Sequence, residues 1–477
     1  AFDYPSVAAL AGFLGSQMAV HEGDAVHSDS DISEEELDAW SEDDQSERGS
    51  VGVASVAYQV PGGVVDALTA SDGLYAVPMG RWDVESFRQE AGGRLPAGFG
   101  GFLAGAEHFD DTYYGISPAE AVLMDGQQRL IMQLCGQALA TMPPLGESSA
   151  SWANMGVFVG ISTTDYSKLT TKHNAPISAY AATGSATSVA AGRVSYFYGA
   201  SGPSLSVDTA CSSSLVGTHL AYTAYSVGQV TSSLTSGVNL TLDPTTTATF
   251  HCAGMLAPDG RCKTLDASAD GYVRGESCAS LVLQGDVDMQ PSDAESGPAA
   301  GVYLAATAVN QDGRSSSLTA PNGPSQQAVM RLALGDACAA PAAVRLLQMH
   351  GTGTGLGDPI EMGAASAVLL GSARGTAHPL AVAAIKSSLG HTEAGAGVTG
   401  LVHTQCCLTG VAASALTQLR QLSPHLVSMM FAPRTAGRAT VLPKQAVPFQ
   451  YGTAEGEGVS LAGVSSFAFQ GTNAHAM

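Results

Sequence analysis

Ser204-Leu205-Ser206-Val207-Asp208-Thr209-Ala210-Cys211-Ser212-Ser213-Ser214-Leu215-Val216 is the stretch on which the fold class turns. Ser204–Val207 alternates as a strand does, and beyond Cys211 the residues Val216, Leu220, Thr223, Ala224 and Val227 recur at helical spacing. A strand, a reactive side chain and then a helix is the local plan of an open α/β sheet, which builds its sites at the carboxyl edge. Three further places repeat it. Val344–Met349 leads into His350 and a glycine loop, with a helical pattern beginning near Ile360; Leu380–Ile385 leads into Lys386 and His391, with helix from about Ala394. Val459–Ser465 leads into Phe467-Ala468-Phe469-Gln470-Gly471. From Val51 onward, short β-branched runs alternate with Ala-rich helical stretches, the rhythm of sheets covered by helices on both faces.

The chain's 477 residues suffice for about two to four folded units, or one large duplicated one. Charged residues make up only 13%, hydrophobic residues 45%, and there are 56 glycines, which excludes global disorder. Lys and Arg total 20 against 42 Asp and Glu, a net charge of −22. No basic stripe accompanies aromatic residues, so neither nucleic acid nor an anionic membrane is an expected partner. No apolar run approaches the ~20 residues that span a bilayer, and Val7–Val20 lacks a basic leader and a cleavage site. The expectation is a soluble, cytoplasmic chain. The 8 cysteines form no CxxC pair and no ligand spacing, so neither a zinc site nor a disulfide framework is expected.

The opening Phe2-Asp3-Tyr4-Pro5-Ser6 reads as a turn feeding a short amphipathic helix from Val7 to Leu14. Between Glu22 and Arg48 stand twelve acidic residues and one basic one, half of the net charge of the chain. That is the composition of a solvated tether and sets a boundary near residue 50.

Four residues carry chemistry. A cysteine between a strand end and a helix start gains from the field of the helix N-terminus, which favours thiolate over thiol. Cys211 fits that placement, although a cysteine taken alone is more often a packing residue. His350 opens Gly351-Thr352-Gly353-Thr354-Gly355-Leu356-Gly357-Asp358, which matches neither the GxxxxGK[ST] nor the GxGxxG phosphate loop. Lys386-Ser387-Ser388-Leu389-Gly390-His391-Thr392-Glu393 sets a cation and an imidazole five residues apart. A nucleophilic cysteine, two loop histidines as neutral hydrogen-bond donors and a lysine fixing local charge make an acyl-transfer set.

Asp208 through Leu215, His350-Gly351-Thr352-Gly353-Thr354 and Lys386 through His391 resemble the β-ketoacyl synthase domain of modular type I polyketide synthases. The likeness extends through Phe109–Arg129 (FDDTYYGISPAEAVLMDGQQR), Ala253–Glu276 (AGMLAPDGRCKTLDASADGYVRGE) and Gly463–His475 (GVSSFAFQGTNAH). It covers about residues 51–477. The first 18 residues resemble the last helix of an acyl carrier protein, which makes 19–50 an acidic linker and the sequence a piece of a longer multidomain chain. The resemblance implies a thiolase-type α/β fold of two similar halves, about 51–295 and 296–477, in a helix-sheet-helix-sheet-helix stack. It implies acylation of Cys211 from a carrier-protein thioester, then decarboxylation of a malonyl-type thioester whose carbanion attacks the acyl-Cys. His350 and His391 would hydrogen-bond the malonyl thioester oxygen, and the N–H groups of Cys211 and Phe469 would form the oxyanion hole. Lys386, Asp358 and Glu361 would orient the site and balance its charge, and Phe469 would gate the pockets. The domain itself binds no cofactor; its substrates ride on phosphopantetheine. The implied partners are acyl carrier protein domains, a second copy in a homodimer, and neighbouring acyltransferase or other synthase domains.

The sequence departs from the family pattern in places. The stretch between Gly63 and Arg81 is short, Gly126 stands where proline is usual, and Ser388 stands where asparagine is common. Gln470 replaces a small residue and Ala468 a glycine, which leaves that loop less backbone freedom. The competing reading is a non-elongating domain that docks carrier proteins and passes acyl chains on without condensation. Such members commonly lack the first histidine, which this chain keeps. A decarboxylating loading domain commonly carries glutamine in place of Cys211, and a thiol hydrolase would need an acid orienting its base.

Overall fold

The computed structural model describes residues 51–63, 72–90, 98–142, 154–173, 178–285, 302–370, 379–410, 412–430, 440–448 and 461–477. The carrier-type helix over 1–18, the acidic linker over 19–50 and residues 64–71 of the shortened stretch after Gly63 lie outside the described residues.

Two six-stranded sheets carry the elements that hold Cys211, His350 and His391. Strands β1 (Val51–Gln59), β2 (Met155–Gly160), β3 (Ser204–Val207), β4 (Ser232–Asn239), β5 (Ser277–Gly285) and β6 (Tyr303–Leu304) form the first, in the order β3-β2-β4-β5-β1-β6. Strand β2 runs parallel to β3 and β4, and β5, β1 and β6 continue antiparallel. Strands β7 (Thr307–Gln311), β8 (Val344–Gln348), β9 (Leu380–Ala383), β10 (Thr440–Val441), β11 (Leu461–Phe467) and β12 (Thr472–Ala476) form the second, in the order β10-β9-β8-β11-β12-β7. Its first four strands are parallel, and β12 and β7 follow antiparallel. Each sheet is a parallel block continued by an antiparallel meander, so the two halves repeat one plan.

Seven helices position the site: α1 (Gly126–Ala140), α2 (Ser188–Tyr198), α3 (Ser213–Ser226), α4 (Gly323–Asp336), α5 (Gly357–Leu369), α6 (Lys386–Leu389) and α7 (Ala396–Thr409). Helices α1 and α2 cover one face of the first sheet through Leu130, Ile131, Leu134, Ala190 and Val194. Helices α4 and α5 cover the second through Val329, Met330, Met362 and Ala365. Between the sheets lie α3 and α7, each in contact with strands of both. This is the five-layered thiolase-type arrangement that the sequence resemblance implied.

A helix enclosed between two sheets must be apolar or internally satisfied around its whole circumference. Helix α7 meets that demand: His403 pairs through Nδ1 with Gln348 Oε1 at 2.8 Å, and Thr399 donates to Ser277 Oγ at 3.0 Å. The layers also approach closely. A Cβ on Gly160 would lie 2.4 Å from the Ser214 nitrogen, and one on Gly397 would lie 2.6 Å from the Leu215 nitrogen.

Element boundaries shift slightly from expectation. The helix anticipated near Ile360 begins at Gly357, whose N–H donates to Thr354 Oγ1 at 3.2 Å. The strand anticipated over Val459–Ser465 is described as Leu461–Phe467. Gly126, where proline is usual, opens α1 with Asp125 as its N-cap, accepting from the Gln127 N–H at 2.8 Å.

The close approach yields a stability test. Gly160→Ala is expected to cost about 1–3 kcal/mol by overpacking against Ser214. Gly335→Ala, on α4 where an added Cβ meets nothing within 4 Å, should stabilise by about 0.4–1 kcal/mol. Urea midpoints measure both, and equal midpoints would show that the strand-to-helix contact tolerates a methyl group.

Candidate active site

The segment Asp208–Ser214 folds as an elbow because its own side chains hold it. Asp208 Oδ1 accepts from the Ala210 N–H at 3.0 Å, Ser213 Oγ accepts from the Thr209 N–H at 2.9 Å, and the Ser212 hydroxyl donates to Thr209 O at 3.1 Å. Ala210 takes φ +53°, a left-handed conformation that a non-glycine residue adopts only when its surroundings enforce it. Cys211 thus sits in a 3-10 turn, Ala210–Ser212, directly before α3. Ser466, at the end of β11, donates its hydroxyl to the Cys211 carbonyl at 2.7 Å.

His391 reaches this elbow directly, and His350 stands beside His391. His391 Nε2 lies 3.0 Å from Cys211 Sγ across 180 residues of sequence. Its Nδ1 accepts from the Glu393 N–H at 3.0 Å. His350 Nδ1 accepts from the Phe467 N–H at 3.2 Å, and the two imidazole rings stand 5.5 Å apart at 87°. A neutral imidazole that accepts at one nitrogen carries its proton on the other. Each ring therefore presents Nε2–H, and that of His391 faces the sulfur. Burial, followed by the positive charge of Lys386, holds both histidines well below the ordinary imidazole range. They stay neutral donors at physiological pH.

Lys386 opens α6 and donates its ammonium to the His350 carbonyl at 2.7 Å. Burial lowers its pKa, and the nearby Glu361 carboxylate works in the opposite direction. Glu361 accepts from the His350 and Gly351 N–H groups at 2.6 and 2.9 Å, and Asp358 accepts from Leu265 and Gly353 at 2.8 and 3.1 Å. Desolvation pushes Asp358 up to about 6 and raises Glu361 as well. These two acids thus clamp the His350 loop from beneath and do not touch the sulfur. Phe469 is 45% exposed, while its backbone N–H and that of Cys211 itself act on the Cys211 thiol, pulling its pKa down. Two convergent N–H groups beside a thiol are the makings of an oxyanion hole.

One expectation is reversed. The helix-terminal position was expected to favour a thiolate, yet burial, and after it the Glu393 carboxylate, push the Cys211 thiol up to about 12, against the pull of Lys386 and the two N–H groups. Desolvating a charge outweighs a partial dipole here, with Cys211 half-buried between the two sheets.

Sequence reasoning assigned no role to the pair that completes the site. Arg274 binds Glu393 through Nε and Nη2 at 2.6 and 3.1 Å, with side-chain exposures of 4% and 9%. Glu393, at φ +42°, ties this ion pair to His391 through its N–H. The His391 backbone is gripped by its neighbours too, donating to Val273 O at 2.7 Å and accepting from Gly275 at 2.8 Å, and Tyr272 packs edge-on against the ring at 5.0 Å. A usable signal existed. Glu393 is a charge set directly before the small-residue run Ala394-Gly395-Ala396-Gly397, where burial demands a partner. Among the described residues, no group of three or more His, Cys, Asp or Glu could hold a metal ion.

A thiolase-type fold with a thiol, two neutral N–H imidazoles and a pair of backbone donors defines an acyl-transfer site of the condensing kind. Comparison with known proteins agrees: the family "Beta-ketoacyl synthase, N-terminal domain" matches residues 51–288, and "Beta-ketoacyl synthase, C-terminal domain" matches 302–417. The chain is 36% identical to the pikromycin polyketide synthase component PikAII of Streptomyces venezuelae, over 99% of this chain and 12% of that protein. It is 37% identical to a phenolphthiocerol/phthiocerol polyketide synthase of Mycobacterium tuberculosis, over 89% and 23%. The chain therefore spans less than a quarter of the length of these relatives. Among solved structures, the ketosynthase from module 6 of the bacillaene synthase of Bacillus subtilis 168 superposes with a TM-score of 0.72 and 30% identity, covering 90% of this chain and 71% of that one. The oxazolomycin ketosynthase domain OzmH KS7 of Streptomyces albus JA3453 gives 0.78 and 28%, covering 90% and 74%. The chain belongs to the β-ketoacyl synthase family, as a ketosynthase domain of the polyketide synthase type, a condensing acyltransferase.

The Glu393 carboxylate supplies a pH test. Because it raises the Cys211 thiol, Glu393→Gln should shift the pH dependence of Cys211 alkylation by iodoacetamide to lower pH, read by peptide mass spectrometry. A profile that stays in place or moves upward would remove Glu393 from the electrostatics of the thiol.

Proposed function

We propose that this domain extends polyketide chains by decarboxylative condensation, with Cys211 as nucleophile. The observation that carries the reading is His391 Nε2 at 3.0 Å from Cys211 Sγ with the His350 ring 5.5 Å from that of His391, both Nδ1 atoms occupied as acceptors, which leaves two neutral Nε2–H donors side by side. In the first stage the Cys211 sulfur attacks a carrier-bound acyl thioester, the oxyanion forms against the Cys211 and Phe469 N–H groups, and the phosphopantetheine thiol leaves with the cysteine's proton. In the second, a malonyl-type thioester loses carbon dioxide. The electron pair of the broken bond moves onto the thioester as an enolate, stabilised by the Nε2–H groups of His350 and His391. The enolate carbon attacks the acyl-Cys211 carbonyl, and the cysteine leaves as a thiolate that takes up a proton. Burial, with the charge of Lys386 behind it, keeps both imidazoles neutral, Asp358 and Glu361 hold the His350 loop, and Phe469 gates the two pockets.

The same reading makes phosphopantetheine arms of acyl carrier protein domains the substrates, with acyltransferase and other synthase domains as neighbours and the cytoplasm as location. Residues 1–18 are then a carrier-type helix, 19–50 a tether, and 51–295 and 296–477 the two halves of the ketosynthase.

The test is intact-protein mass spectrometry after adding an acyl thioester and then malonyl-loaded carrier protein. An acyl adduct that disappears as a ketoacyl mass grows on the carrier is expected, with Cys211→Ala unlabelled. His350→Ala should still acylate but lose decarboxylation by about 10²–10³-fold. An adduct that forms and never condenses would replace this reading with transfer alone.

Homodimerisation is supported by β3, which pairs on one side only among the described residues and exposes Leu205, next to α2 with Tyr196 91% exposed. An open edge with apolar side chains calls for a second strand. Leu205→Asp should convert a sedimenting dimer to a monomer, and a monomeric parent chain would defeat this assembly.

A further inference from the structure

The loop carrying Phe469 is held by the side chain of Gln470. Gln470 Nε2 donates to Thr472 Oγ1 at 3.1 Å, and Gln470 Oε1 accepts from the Thr472 N–H at 3.2 Å. Both ends of the amide are thus spent on one residue across the turn between β11 and β12. The Gln470 carbonyl accepts from Gln311 Nε2 at 3.3 Å, and Gln311 Oε1 accepts from the Asp312 N–H at 2.8 Å. The turn closes through Ala468 N–H to Thr472 O at 2.9 Å and Gly471 N–H to Ala468 O at 2.8 Å. Gly471 takes φ +96°, and a Cβ there would lie 2.3 Å from Gln311 Oε1, so the turn is seated against β7 with no slack.

A peptide plane in a tight turn can flip without moving the strands on either side, and a flip reverses its N–H. The Phe469 N–H shares its peptide plane with the Ala468 carbonyl, which accepts from the Gly471 N–H at 2.8 Å, so that plane is released to turn its N–H away when the turn opens. We propose that Gln470 is a positioning residue: its amide, closed on Thr472 and backed by Gln311, holds the turn in the one arrangement that keeps the Phe469 N–H on Cys211, so that the oxyanion hole is preformed before substrate arrives. A glycine at this position has no side-chain atoms with which to span the turn, and a serine hydroxyl could make at most the bond to the Thr472 N–H. The inference rests on the acyl-transfer reading of Cys211 and identifies the residue that sets how fast this hole can act.

Acylation and alkylation of the same cysteine separate the two questions. Acyl transfer from butyryl-N-acetylcysteamine develops an oxyanion, whereas alkylation by iodoacetamide does not, and both are followed on the Cys211 peptide by mass spectrometry. Gln470→Ala is expected to slow single-turnover acylation about tenfold, less than the loss of a whole donor, with alkylation unchanged. Gln470→Glu should restore acylation, since its carboxylate still accepts from the Thr472 N–H and hydroxyl. Thr472→Val, which removes only the Oγ1 acceptor, should lower the ratio of acylation to alkylation in the same direction. Equal loss in both reactions would reduce Gln470 to a structural part, and an unchanged ratio would overturn the proposal. A parent protein that is alkylated but never acylated would sink the acyl-transfer reading itself, and this inference with it.

Discussion

The contact on which the site depends is the meeting of the two enclosed helices at their N-termini. Ser214 Oγ, in the first turn of α3, accepts from the Val398 N–H in the first turn of α7 at 3.1 Å. Early N–H groups of a helix have no partner within it, and in a dry interior one left open costs about 1–3 kcal/mol. The serine hydroxyl of one half therefore completes the helix of the other. Close backbone approach at Gly397 makes the meeting sterically feasible. Since α3 follows Cys211 and α7 follows His391, this one bond fixes the separation of thiol and imidazole across 180 residues of chain.

Electrostatics then decide what the assembled groups can be. Five ionisable side chains, Lys386, Glu361, Asp358, Arg274 and Glu393, are buried around a centre that itself carries no formal charge: a thiol and two neutral imidazoles. Their arrangement is asymmetric. Lys386 works on the histidines from the second half and opposes their protonation, whereas Glu393 works on the cysteine and opposes its ionisation. Each charge is engaged, Lys386 by the His350 carbonyl, Glu361 and Asp358 by loop N–H groups, and Arg274 by Glu393. Removing any one would leave a buried partner uncompensated, so these residues act on the reaction through position and potential.

The candidate reacting groups were legible in the sequence because chemistry-bearing residues stand at abrupt changes of period. Cys211, His350 and His391 each follow a strand-like run and precede a glycine- or serine-rich helix start, which marks a carboxyl-edge site without reference to any family. The duplication was not legible from periodicity, since the shared plan lies in strand order and direction, set by hydrogen bonds between distant segments. The Arg274–Glu393 pair was missed for a similar reason: 119 residues separate its members, and only the fold makes them neighbours. The thiol was misjudged because the helix-terminal field is a local property that a sequence displays, whereas depth beneath the surface is a property of the whole stack of layers.

That depth bears unequally on the two stages of the proposed reaction. Desolvation opposes thiolate formation, so acylation begins from a thiol and benefits from releasing the proton with the departing pantetheine thiol. The same desolvation strengthens every N–H directed at a developing oxyanion or enolate, because interactions with charge grow as the effective dielectric falls. A protonated imidazole in place of either neutral donor would place a like charge beside Lys386. A site that kept Cys211 ionised would need more positive charge or more water near the sulfur, and either would blunt the donors that the carbon–carbon bond-forming stage requires. Burial therefore favours condensation over thiolate reactivity, and the preset turn at Gln470 fits that balance by supplying geometry where the thiol lacks charge.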